Sequence, residues 1–194
     1  MDDNLDRGAR AVLEFWFGAV DGNASRAEWF RTDAVFDSNI ARQFGATIEA
    51  ALTGGLGEWA SGPRGALARI VVLDQFTRNV FRDTARAFAG DALALAAARE
   101  MVKHGWDRLL PPVQRQFAYL PFEHAEDMAA QDESIRLYSA LAAEHPASAD
   151  TLISAVKHGV IIQRFGSYPH RNAALGRAST AEELVFLAEP GSRF

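Results

Sequence analysis

The stretch PRGALARIVVLDQFTRNVF, residues 63–81, decides the fold class. Its apolar residues Leu67, Ile70, Val71, Val72, Leu73, Phe76, Val80 and Phe81 recur at the spacing of a helix, without the strict alternation of a half-buried strand. They cover most of the circumference, so this helix is expected in the core. Proline lacks a backbone N–H, which costs nothing at the first helical position, and Pro63 is therefore read as the opening residue. Against the apolar background, Asp74, Gln75, Arg78 and Arg82, with Asn79 beside them, form one polar stripe. A surface helix usually carries a broader polar face. The stripe reads either as a narrow solvated face with an Asp74–Arg78 pair or as the wall of a pocket.

Working outward, the same periodicity predicts helices nearly everywhere. The first spans 7–17, with Asp6 as N-cap and Gly18 as the stop, and its Val12, Leu13, Phe15, Trp16 and Phe17 make it central. A turn at Asp21-Gly22-Asn23 and a short segment with Trp29 and Phe30 lead to a helix over about 32–52, ended by Gly54-Gly55. Asp91 is expected to cap a helix running to His104 and Gly105. Pro111-Pro112 start one that reaches about Met128, kinked at Pro121. Further helices are expected over about 133–143 and 149–165, the second between Ser148 and Gly166. Tyr168 precedes a proline and is biased toward extended backbone, and Pro169 opens a short helix ending near Gly176. A final helix begins at Ser179, whose spacing to Glu182 fits a capping box. The expectation is a flexible N-terminus over 1–6 and a single all-α domain over 7–194, an array or bundle of roughly eight to ten helices. No clean 34-residue repeat runs through it.

Composition narrows the chemistry. The 194 residues include no cysteine, which excludes disulfides, thiolate nucleophiles, iron–sulfur clusters and Cys-ligated zinc. The opening Met1 to Asp6 carries three Asp where a signal peptide would be basic, and no segment approaches the ~20 apolar residues of a membrane span. A cytoplasmic protein without membrane contact is expected. A net charge of −5 argues against nucleic acid as a partner, because that affinity rests on neutralising phosphates. Gly54-Gly-Leu-Gly57 lacks the Lys-Ser/Thr of a phosphate loop, and no serine sits in a Gly-x-Ser-x-Gly context. No cofactor is expected.

Two further stretches could carry chemistry. QRQFAYLPFEHAE, residues 114–126, places His124 among Glu123 and Glu126 just past Pro121. A His beside carboxylates suits general acid–base work. A metal is not expected, because adjacent Glu123 and His124 project about 100° apart and no Glu-x-x-His pair occurs. The bland alternative is a core histidine with a satisfied hydrogen bond. RFGSYPHRN, residues 164–172, sets Arg164, His170, Arg171 and Asn172 around a Gly/Pro loop that opens a short helix, a natural place for a carboxylate or phosphate. It lies within residues 151–181, which hold four Lys or Arg and no acid, whereas residues 121–150 hold seven acids against Arg136 alone. Packing of these neighbouring tracts on each other would account for most of the charges. His104 and His145 fall near helix ends, where they more often satisfy carbonyls.

Together with Val12-Leu-Glu-Phe-Trp-Phe-Gly18, the motifs Leu73-Asp-Gln-Phe-Thr-Arg-Asn79, Tyr119-Leu-Pro-Phe-Glu-His-Ala-Glu126 and Arg164 to Asn172 resemble the bacterial family known as domain of unknown function 924. The resemblance spans nearly the whole chain. It implies an all-helical fold similar to tetratricopeptide-repeat proteins and supplies no reaction. Ser167 stands where the family usually has Arg, and Ala125 where it usually has Ser. Both replacements thin the polar character of the region.

Three functional readings follow. In the first, a helical binding module holds an anionic small molecule or an acidic peptide through Arg164, His170, Arg171 and Asn172, with Asp74, Arg78 and Asn79 behind them. In the second, an enzyme uses His124 or His170 as general acid or base, paired with Glu123, Glu126 or Asp74. In the third, the same residues form a buried polar network that only ties helices together.

Overall fold

The computed structural model describes residues 5–192. All regular structure among them is helical. The expected flexible N-terminus falls mostly on residues 1–4, outside the described residues; Leu5 packs against the core and Asp6 caps the first helix. Helix α1 (Arg7–Phe17) starts where the Asp6 carboxylate accepts from the Gly8 and Ala9 amides, and stops at Gly18, whose φ of 80° suits a residue without Cβ. Helix α2 (Ala34–Leu52) is capped in the same way by Asp33, one position after the expected start at Thr32.

Helix α3 (Pro63–Ile70) runs without interruption through a π-helical turn, Val71–Phe76, into α4 (Thr77–Val80). The predicted single helix is therefore present, with an irregularity in the middle that apolar spacing does not announce. Helix α5 (Asp91–Lys103) departs from the sequence reading at its start: Gly90 holds the N-cap position, and Asp91 is the first helical residue with its carboxylate engaged elsewhere. Gly90 is required because a Cβ there would lie 2.2 Å from the Leu73 carbonyl oxygen, so the start of α5 sits directly on the π turn.

Helix α6 (Pro112–His124) ends four residues before the expected Met128. Ala125 turns extended, and Asp127 caps the next helix by accepting from the Ala130 amide, which starts α7 (Met128–Glu144) ahead of the expected Glu133. Helix α8 (Ala149–Phe165) ends at Gly166, φ 72°, as read from sequence. Ser148 stands at its N-cap position without a capping bond, its hydroxyl instead accepting from Gln116. A 3-10 turn, Pro169–Arg171, passes into α9 (Asn172–Leu175), stopped by Gly176. The capping box of α10 (Ala181–Leu187) is Thr180 with Glu183, one residue beyond the expected Ser179 with Glu182. Ser179 is taken by Asn172, whose side-chain amide donates to its hydroxyl at 3.0 Å.

The core gathers around α1, α3 and the π turn, where Val12, Leu13, Trp16, Leu67, Ile70 and Leu73 are fully buried. Each large apolar side chain so buried contributes about 1.5–3 kcal/mol. Aromatic rings join α1 to α6 and α2 to the π turn: Trp16 meets Phe117 at 5.7 Å and Phe44 meets Phe76 at 5.0 Å between centroids. Ile161, Ile162 and Tyr168 form a smaller second cluster with Phe165 and Phe186, fixing the C-terminal segment to α8. No helix among the described residues is long and apolar enough to cross a membrane.

Candidate functional site

The polar stripe of residues 74–82 divides. A π turn winds wider than an α turn and re-aims the residues on either side of it. Asn79 and Arg82 both donate to the Asp37 carboxylate of α2, at 2.7 Å and 2.6 Å. Asp74 instead meets α6 and Arg78 meets α5. Asp74 is wholly buried, and its Oδ1 lies 2.7 Å from His124 Nδ1 and 3.1 Å from the Arg78 guanidinium, while Gln75 donates to Oδ2 at 2.6 Å. Arg78 also donates to the Asp74 carbonyl and, through both terminal nitrogens, to Asp91 at 2.8 and 3.0 Å.

These contacts set the charges. Burial works against the ionised form of Asp74, but Arg78 and His124 outweigh it and hold the carboxyl far below its ordinary range. Burial pushes His124 below 6.5, and Arg78 and Arg171 add to that against the pull of Asp74. At neutral pH the pair is an imidazole beside a carboxylate. A carboxylate can only accept, so the proton between them belongs to Nδ1 and leaves Nε2 as the acceptor. The side chain of His124 keeps 15% of its surface exposed, whereas that of Asp74 keeps none.

The third wall is the Gly/Pro loop. Arg171 is buried, lies over the rings of Tyr168 at 4.5 Å and Phe88 at 4.8 Å, and donates to Asp91 at 3.2 Å. Its Nε is buried without a hydrogen-bond partner among the described residues. Tyr168 is fully buried, donating to the Glu123 carbonyl and accepting from Gln131. His170 lies beside it at 5.6 Å between rings, its pKa lowered to about 3 by burial and then by Arg171.

Glu123 faces away from Asp74 toward α8. Its Oε1 lies 3.0 Å from His158 Nδ1 and accepts from Ser154 at 2.8 Å, giving a second His–carboxylate pair whose ring is 6.3 Å from that of His124. Glu126 is clamped by both terminal nitrogens of Arg177 and accepts from the Tyr168 amide. Asn172 accepts from Arg177 Nε. Arg164 is exposed and pairs with Glu182 on α10.

The structure thus assembles Asp74, Arg78, His124 and Arg171, with His170 and Glu123 adjoining. It places Asn79 against α2 and Arg164 against α10, and makes Glu126 and Asn172 struts for the loop. Sequence reasoning missed Asp91, which bridges Arg78 and Arg171, and Phe88 and Tyr168, which sandwich Arg171. Spacing alone reads Asp91 as a cap, and the Gly immediately before it is the available signal that it is not. No group of three or more His, Asp or Glu among the described residues is arranged to hold a metal ion.

A family profile described as "Bacterial protein of unknown function (DUF924)" matches residues 12–191. A solved structure of a protein of unknown function from Agrobacterium tumefaciens superimposes with a TM-score of 0.83 at 38% sequence identity, covering 93% of this chain and 96% of that one. No curated protein matches the sequence.

Proposed function

Because this chain belongs to DUF924, a bacterial family of unknown function, its ancestry carries no reaction, and we propose from the geometry that it has an acid–base site for a small anionic substrate. The observation that carries this reading is the His124–Asp74 pair. A neutral imidazole, oriented by a buried carboxylate through Nδ1 and partly exposed, is the form a general base takes. Asp74 fixes the tautomer and stabilises the imidazolium that forms when His124 takes a proton. Arg171, rigid between two rings and close enough to act on His124 electrostatically, supplies the positive charge for a carboxylate or phosphate. The reaction class is proton abstraction from the substrate, or from a water directed at it.

Two irregularities support a functional reading over a purely structural one. The π turn bears Asp74, and Pro121 lies within the last turn of α6 before His124. Such turns cost backbone regularity and occur frequently at functional sites. The successive packing of α5 on α6, α6 on α7 and α7 on α8 supports the helical-array, tetratricopeptide-like reading, in which such a site lies between stacked elements.

The test is thermal unfolding against phosphorylated metabolites, dicarboxylates and nucleotides, with every hit repeated on His124→Gln, Arg171→Ala and His170→Ala. A ligand at a hundred times its dissociation constant stabilises by ~2.7 kcal/mol. The expected result is a shift abolished by Arg171→Ala, and turnover of that compound abolished by His124→Gln. A shift without turnover reduces the site to the binding module. Absence of any shift, with all three variants less stable, makes it a structural network.

A further inference from the structure

A separate cleft of ≈ 410 Å³ opens between α5, α6 and α7 and shares no lining residue with the His124 site. That volume is within the range of small-molecule sites. Its floor is a buried chain of polar groups. Arg115 Nε donates to the Tyr119 hydroxyl at 3.0 Å, and that hydroxyl donates to Asp107 at 2.6 Å, each of the three side chains being buried. Burial and the Asp107 hydrogen bond both push the Tyr119 hydroxyl up, so it stays a fixed donor and the Arg115 guanidinium is held at a set angle.

The rim adds Lys103, Arg108 and Arg136. In a chain of net charge −5, four strong cations line this one cleft against Asp107 alone. Their counter-ions are outside the lining and half-exposed or local. Arg115 is met by Glu144, which is 48% exposed, Lys103 by Glu100 and Arg136 by Glu133, both one helical turn away. The Lys103 and Arg136 pairs are exposed, and pairs of that kind contribute little and exchange readily for another anion; the Arg115 pair is open on its Glu144 side alone. Arg108 is exposed and acts on the same Glu144 carboxylate electrostatically.

We propose that this cleft binds a small polyanion, a molecule carrying two or more phosphate or carboxylate groups, with one group on Arg115 and the others on the rim. A single charge would displace one carboxylate at no gain, whereas a compact polyanion replaces three at once and loses its freedom only once. The floor chain supplies what a rim of mobile cations lacks, a guanidinium already oriented before the ligand arrives.

The experiment is calorimetric titration of the full chain at low ionic strength with inorganic pyrophosphate, citrate and orthophosphate, on wild type, Arg108→Glu, Lys103→Glu and His124→Gln. Arg108 and Lys103 are exposed, so their reversal leaves the core intact. Pyrophosphate or citrate is expected to bind at least tenfold more tightly than orthophosphate, and either charge reversal to weaken it at least tenfold, with His124→Gln unchanged. Preference between pyrophosphate and citrate tells phosphate from carboxylate ligands. The proposal is overturned if neither polyanion binds, if the charge reversals leave binding unaltered, or if His124→Gln abolishes it. An acidic peptide such as oligoglutamate binding where both small anions fail also overturns it.

Discussion

Asp74 is the residue on which the site depends, because two groups that would otherwise be stranded in the interior are compensated through it. Removing it by Asp74→Ala leaves the half-buried Arg78 beside His124 with Asp91 as its remaining carboxylate partner. Breaking a buried ion pair from one side typically costs 3–5 kcal/mol. Since Asp91 remains, a loss of about 2–4 kcal/mol is expected in denaturant unfolding, and an unchanged midpoint would place the stabilisation elsewhere. His170 gives a complementary prediction in pH. Its folded-state pKa is lowered to about 3, while the unfolded chain takes up that proton near 6.5. Between these values the unfolded state binds the proton and the folded state does not, so stability is full above pH 6.5 and is lost as pH falls toward 3. Allowing for solvent screening at a partly exposed ring, His170 contributes on the order of 2 kcal/mol to that fall. His170→Gln should flatten the slope of stability against pH in this window; an identical slope would remove His170 from the account.

At the scale of elements, the site is made where the π turn meets the start of α5. Gly90 makes that contact possible, and its φ of −87° is open to any residue, so its requirement is purely one of space. Gly90→Ala should therefore push α5 away from Leu73 and cost about 2–3 kcal/mol. Asp91 would move with α5 and loosen its hold on Arg78 and Arg171, so ligand binding at the His124 site should weaken alongside stability. If Gly90→Ala unfolds at the wild-type midpoint, the close approach is not real. The loop after α8 has its own strut: Arg177 joins Glu126, Asn172 and the Tyr168 carbonyl. Arg177→Ala is expected to release residues 166–176 for faster amide hydrogen exchange while leaving α1 to α4 protected. Equal protection in the loop would show that the apolar contacts of Tyr168 suffice to hold it.

Across the whole molecule, apolar periodicity and end signals made most helices legible. Asp6, Gly18, Pro63, Gly166 and Gly176 mark ends that the structure places where their chemistry requires. The reading failed where a local signal had a tertiary competitor. Asp91 resembles a cap but is drawn to two arginines; Ser179 resembles a capping residue but is taken by Asn172, leaving Thr180 to cap. The π turn was illegible because apolar residues surround it on all sides, and one residue more per turn leaves no mark in such a pattern. The acidic and basic tracts do meet, through Glu123 with His158 and Glu126 with Arg177, yet Glu133 and Glu144 pair elsewhere. Spacing put Asp74 and Arg78 on one face of their helix. It held no information that His124, fifty positions on, would complete the pair.

The state of the His124 imidazole is read by nitrogen-15 titration with long-range proton–nitrogen NMR, in wild type and in Asp74→Asn. The expected result is a neutral ring at pH 7, protonated at Nδ1, taking up its second proton only below pH 6.5, with the tautomer preference lost in Asp74→Asn. A ring that is cationic at pH 7, or protonated at Nε2 in the wild type, would contradict it, because His124 would then have no acceptor to offer a substrate.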